Sequence, residues 1–206
     1  MIPVAAQVEP TNFDSLVRQP GAIFLANCPQ PKSKDFKGHD YWRRVGREMY
    51  EAYQHICAYT GRYIETPNGS IDHFVGKTTN PDTAYEWSNF RLCLPTVNNH
   101  KGSLVGLVDP FLVQHGWFVL DFPSCFVRPG NDLSHSQREQ VNTTITGLKL
   151  NADDSFVQDR SDIMVMFAQQ EVTLAFLKKR RPFLAAEVVR QGIDHVKAAQ
   201  LFKSLV

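Results

Sequence analysis

The chain has 206 residues, 43% of them hydrophobic and 21% charged, with a formal net charge of +1. That balance excludes a disordered polyelectrolyte and, in bulk, a strongly basic nucleic-acid binder. It contains no run of about 18 apolar residues, so no membrane partner is expected. Met1-Ile2-Pro3-Val4 lacks the basic start and apolar core of a secretory leader, which makes the expected location cytoplasmic. Cys28, Cys57, Cys93 and Cys125 are widely spaced, and in that compartment a disulfide framework is not expected.

Residues 1–38 carry Pro3, Pro10, Pro20, Pro29 and Pro31 and predict an irregular segment, with Ala22–Ala26 as a strand or docked strip. From Asp40 to Ile56 the apolar residues Tyr41, Val45, Met49, Ala52 and Ile56 recur at helical spacing. Cys57 to Glu65 predicts a short hairpin, and Pro67-Asn68-Gly69 a turn into a strand over 70–74. A polar loop over 75–88 leads to a return strand at 90–94, then to a short helix opened by Pro95 with Thr96 able to cap. Beyond Gly102 a second hairpin is expected at 117–127, closed near Phe122-Pro123-Ser124. A helix capped by Ser134 or Ser136 should run to Gly147, and a longer one from Asp153 to Lys179. Pro182 interrupts it, and stretches at 183–191 and 193–204 finish the chain. The fold class expected is α+β: an irregular segment (1–38), a small strand-and-helix module (39–105) and a mostly helical extension with a short hairpin (106–206).

Three basic clusters stand out: Lys32, Lys34 and Lys37; Arg43, Arg44 and Arg47; and Lys178-Lys179-Arg180-Arg181. Each reads first as solvated surface, and as a nucleic-acid contact second. The chemistry-bearing residues lie between Ser70 and Gly102: Asp72-His73, Asn89, and Asn98 with Lys101 three residues on. Phosphodiester hydrolysis needs a divalent cation at the scissile phosphate and a base that titrates near neutrality, which favours histidine. Adjacent residues on a strand point to opposite faces, so a bend must bring Asp72 and His73 to one phosphate.

These residues, in this order and with a Trp-x-Asn-Phe strand between them, resemble the HNH endonuclease family, whose ββα-metal motif is a hairpin and helix around one cation. The resemblance implies that Asp72 is a metal ligand, His73 the general base, Asn89 the brace that orients it, and Asn98 the second ligand. Asn99 and His100 stand as alternatives to Asn98. Lys77 and Lys101 would contact phosphate, with Gly76 where the family usually has proline. The implied cofactor is Mg²⁺ or Mn²⁺. Many members also hold a structural zinc between two Cys-x-x-Cys pairs. Here those places read Cys57-Ala58-Tyr59-Thr60 and Cys93-Leu94-Pro95-Thr96, and no structural zinc is expected because a threonine hydroxyl stays protonated.

Cys-Ala-Tyr at 57–59, Asp72-His73-Phe74-x-x-Lys77, Tyr85-x-Trp87-x-Asn89, Leu107-Val108-Asp109-Pro110 and Thr146–Asn151 followed by Arg160 are similar to one bacterial subgroup. Its members are the HNH partners of an ATPase in Septu-type and retron-linked antiphage systems. The function expected is a metal-dependent endonuclease acting on nucleic acid, DNA rather than RNA, in antiphage defence and beside an ATPase subunit. The alternative is a catalytically inactive HNH-fold subunit that binds nucleic acid or serves as a scaffold.

Overall fold

Phe13, Val45, Met49, Phe90 and Val97 are completely buried, and they come from segments spread across the first hundred residues. They form the core of one of two units in the computed structural model, which describes residues 1–203. That unit comprises Ala5–Cys57 and Ile64–Val105; the other comprises Met1–Val4, Ala58–Tyr63 and the chain from Gly106 on. The class is mixed α+β, with two small antiparallel sheets. No helix among the described residues is long and apolar enough to cross a membrane.

The first unit departs from the sequence expectation at its start. Residues Asp14–Arg18 form a π-helical turn that runs directly into α1 (Gln19–Asn27), where an irregular segment with a strand or docked strip was expected. Pro20 falls at the junction where the π-helical turn passes into α1. Phe13 packs edge-on against Trp87 (5.6 Å) and Phe90 (5.9 Å). Gly21 lets α1 lie on Tyr85, since a Cβ there would stand 2.2 Å from the ring. Arg18 joins Glu9, Asp14 and Glu86, and Trp87 Nε1 donates to the Gln7 carbonyl at 2.8 Å.

The helix expected over 40–56 is a 3₁₀ turn (Tyr41–Val45) followed by α2 (Gly46–Ala52), and it ends where Gln54 and His55 adopt positive φ. Within this unit the hairpin expected at 57–65 leaves one close pairing, the Ile64 N–H donating to the His55 carbonyl at 2.7 Å. The turn at residue 68, where Asn68 N–H bonds the Glu65 carbonyl, feeds β1 (Ser70–His73). β1 pairs antiparallel with β2 (Phe90–Cys93), with Asp72 opposite Arg91 and His73 opposite Phe90. The loop between them contains 3₁₀ turns at Pro81–Thr83 and Trp87–Asn89. α3 (Pro95–Lys101) follows β2 and packs on β1; its N-cap is Leu94, and Thr96 lies inside the helix instead of capping it.

In the second unit β3 (Phe118–Asp121) and β4 (Phe126–Pro129) form the expected hairpin. α4 (His135–Gly147) is capped by Ser134 in a reciprocal capping box with Gln137. The long helix expected from 153 to 179 is two: α5 (Asp154–Ala168) and α6 (Leu174–Arg180). Gln170 turns into the left-handed region at φ 62°, and Thr173 caps the new helix through the Phe176 N–H. α7 (Pro182–Arg190) and α8 (His195–Leu201) complete the described chain; the predicted helix end at residue 204 lies outside the described residues. Buried polar groups tie this unit together. Arg160 donates to the Cys125 and Leu150 carbonyls (2.7 and 2.8 Å), and burial pushes its guanidinium down to about 10. Glu187 accepts the Leu120 N–H at 2.8 Å while Gln191 donates to the Leu120 carbonyl, so α7 and its end complete the β3 edge.

Candidate functional site

β1 ends at His73, and the chain bends away at Phe74, whose N–H donates to the Asn89 carbonyl at 2.9 Å. His73 is the last paired residue of β1, in register opposite Phe90. Asp72 and His73 both line one cleft of about 820 Å³ in the first unit, together with Trp42, Arg43, Arg47, Tyr50, Lys77 and Asn98. Asn99 and His100, the alternative helix residues, do not line it.

His73 Nε2 lies 2.9 Å from the Ala84 carbonyl. A carbonyl only accepts, so Nε2 carries the proton of the neutral ring and the lone pair rests on Nδ1. The ring stands edge-on to Trp42 (4.6 Å) and Phe90 (5.2 Å). Burial is the main reason its pKa is pushed down to about 4; the Lys77 and Lys101 charges add to that, and the Ala84 bond works against it. At neutral pH the imidazole is therefore neutral with its Nδ1 lone pair available, the state a general base requires.

Asn89 braces this arrangement from behind. Its Oδ1 accepts the Val75 N–H (2.8 Å), and its Nδ2 donates to the Val75 and Thr83 carbonyls (2.9 and 3.1 Å). Thr83 precedes Ala84, so the asparagine fixes the backbone whose carbonyl orients His73.

Lys101 is placed differently from the phosphate contact expected of it. Its side chain is 2% exposed, and Nζ donates to Asp72 Oδ1 at 3.0 Å and to the His73 carbonyl at 2.7 Å. A buried ammonium needs a counter-charge and acceptors, and the end of β1 supplies both, so the group turns inward and does not line the cleft. Lys77 does line it. Its ammonium sits over the Trp42 ring at 4.6 Å and the Phe36 ring at 5.2 Å, and partial burial, with Arg43 nearby, lowers its pKa.

Asn98 donates from Nδ2 to Ser70 Oγ at 2.7 Å, an orientation in which its amide oxygen is the atom that could ligate a cation. That oxygen and the Asp72 carboxylate are hard donors of the kind Mg²⁺ and Mn²⁺ take, so the donor set fits a minimally liganded cation that keeps most of its water. A cation held there would share the Asp72 carboxylate with the Lys101 ammonium. Among the described residues no three His, Cys, Asp or Glu side chains cluster for a metal.

Cys57 and Cys93 are free and fully buried, and burial holds the Cys93 thiol well above its ordinary value, which keeps it protonated. The residues that the sequence did not mark for the site are Trp42, Tyr50, Ser70 and Ala84. Their roles depend on long-range packing and a main-chain carbonyl, which leave no local pattern. Neither the known family models nor the curated proteins yielded a match to this chain. The chemistry of the cleft has to follow from its own residues.

Proposed function

We propose that this chain is a metal-dependent endonuclease of the HNH type, cutting phosphodiester bonds in nucleic acid, with DNA as the preferred substrate. The observation that carries the reading is the convergence of Asp72, His73, Lys77 and Asn98 on one cleft, with Asn89 bracing the loop behind them. The order of two antiparallel strands and a packed helix, β1, β2 and α3, supports it.

In this reading His73, neutral at physiological pH, takes a proton from the attacking water on Nδ1 while the Ala84 carbonyl holds the opposite nitrogen. Asp72 and Asn98 would hold the cation, which when bound supplies charge neutralisation at the scissile phosphate and the leaving oxygen. Lys77 reaches phosphate from the aromatic floor of the cleft. Work beside an ATPase subunit in antiphage defence extends the proposal on the sequence resemblance alone.

One observation favours a second reading. The Lys101 ammonium already compensates the Asp72 carboxylate, as it would in a subunit that keeps the shape and binds nucleic acid without cutting it. Incubation of the purified protein with plasmid DNA and with RNA, in Mg²⁺, in Mn²⁺ and in chelator, separates the two. Nicking of DNA that needs the metal is the expected result; intact nucleic acid in every condition, with binding retained, would establish the scaffold reading.

A further inference from the structure

The fold treats the three arginines of the cluster Arg43, Arg44 and Arg47 differently. Arg43 and Arg47 stand four residues apart across the 3₁₀ turn and α2, and both line the cleft that holds Asp72 and His73. Their side chains are 78% and 87% exposed, and each is held by a carboxylate of its own segment: Arg43 Nε to Asp40 Oδ2 and Arg47 Nε to Glu51 Oε1, both at 2.8 Å. Exposed pairs of this kind are screened by water and contribute little, so an incoming phosphate can replace the carboxylate. The guanidinium fork matches a phosphate in two parallel bonds.

Arg44, between them, is equally basic and exposed but turned elsewhere. It donates to the Leu16 carbonyl at 3.1 Å, lies over the Tyr41 ring at 4.5 Å and does not line the cleft. With a net charge of only +1, the chain has no overall field to hold a polyanion, so its grip must come from cations at particular places.

We propose that Arg43 and Arg47 form a rail that carries one sugar–phosphate strand of duplex DNA into the cleft, with Lys77 as a further cation lining it. The proposal rests on the endonuclease reading for its substrate class and adds the residues that supply affinity. The bonds go to the backbone, so the grip is independent of base sequence.

The test is fluorescence anisotropy of the full chain with a labelled DNA duplex, in chelator so that no strand is cut, at several salt concentrations. Each phosphate that the protein no longer neutralises makes the negative slope of log affinity against log salt shallower by about 0.9. Arg43→Gln with Arg47→Gln should therefore make the slope shallower by about 1.8, so that between roughly 50 and 200 mM salt the wild-type protein loses about tenfold more affinity than the double variant. Arg44→Gln should leave slope and affinity unchanged. Equal behaviour of the double variant and Arg44→Gln overturns the rail, as does binding to an RNA duplex with none to DNA. Metal-dependent cutting with an unaltered slope in the double variant would discard the rail and keep the endonuclease. Binding that tracks Arg43 and Arg47 without any cutting would do the reverse.

Discussion

His73→Ala is expected to reduce metal-dependent nicking of plasmid by about 10²–10⁴-fold, the range that removal of a general base produces. The geometry makes the loss specific to this histidine. It lines the cleft beside Asp72, its Nε2–H is held by the Ala84 carbonyl, and its other nitrogen keeps the lone pair. Undiminished cutting by the variant would refute the role.

The same environment predicts an unusual titration. In the substrate-free protein the His73 ring should protonate near pH 4, against about 6.5 for a solvated histidine, and an imidazole NMR titration reads this directly. The unfolded chain then binds the extra proton first as pH falls. Stability from the buried neutral ring is complete above about pH 6.5 and is lost progressively as pH drops from there towards 4. His73→Ala should remove that part of the acid sensitivity. A midpoint at 6.5 in the wild-type protein would show that the ring is solvated instead.

Lys101→Met is expected to destabilise the protein by about 3–5 kcal/mol, the range for removing one partner of a buried ion pair. Methionine fills similar space but leaves Asp72, 3% exposed, without its ammonium and removes a donor from the His73 carbonyl. Asp72→Asn added to Lys101→Met should recover a large part of the loss, because no net charge is then buried at that point. Urea denaturation of the two variants measures both quantities. A single-variant loss below about 1 kcal/mol would mean that the ammonium lies in solvent, as an exposed pair does.

The sequence was legible where a single element carried its own signal. Val45 and Met49 at helical spacing, the turn before β1 and a serine cap for α4 are local patterns, and each appears in the structure. The N-terminal prolines misled because a proline near a helix start looks, in sequence, like one that breaks a helix. Phe13 and Gly21 hold that helical segment in place through partners more than sixty residues away, which no local pattern announces. The gap between α5 and α6 was missed because one residue, Gln170, turns left-handed without being glycine. At the site, spacing placed Asn98 and Lys101 on one short helix but could not say that one side chain lines the cleft while the other is buried. That outcome depends on Ser70, Asp72 and the His73 carbonyl being opposite them. Likewise nothing in Arg43-Arg44…Arg47 distinguishes the arginine that turns towards Leu16 from the two that line the cleft.

Trp42 presents its ring to two groups at once, the His73 imidazole and the Lys77 ammonium. That makes it a built-in optical sensor. Indole emission responds to neighbouring charge, so the withdrawal of the Lys77 ammonium towards a phosphate, or protonation of the imidazole, alters the light the protein emits. With Trp87 and Trp117 replaced by phenylalanine, the remaining signal would follow occupancy of the cleft in real time, with no label on the nucleic acid.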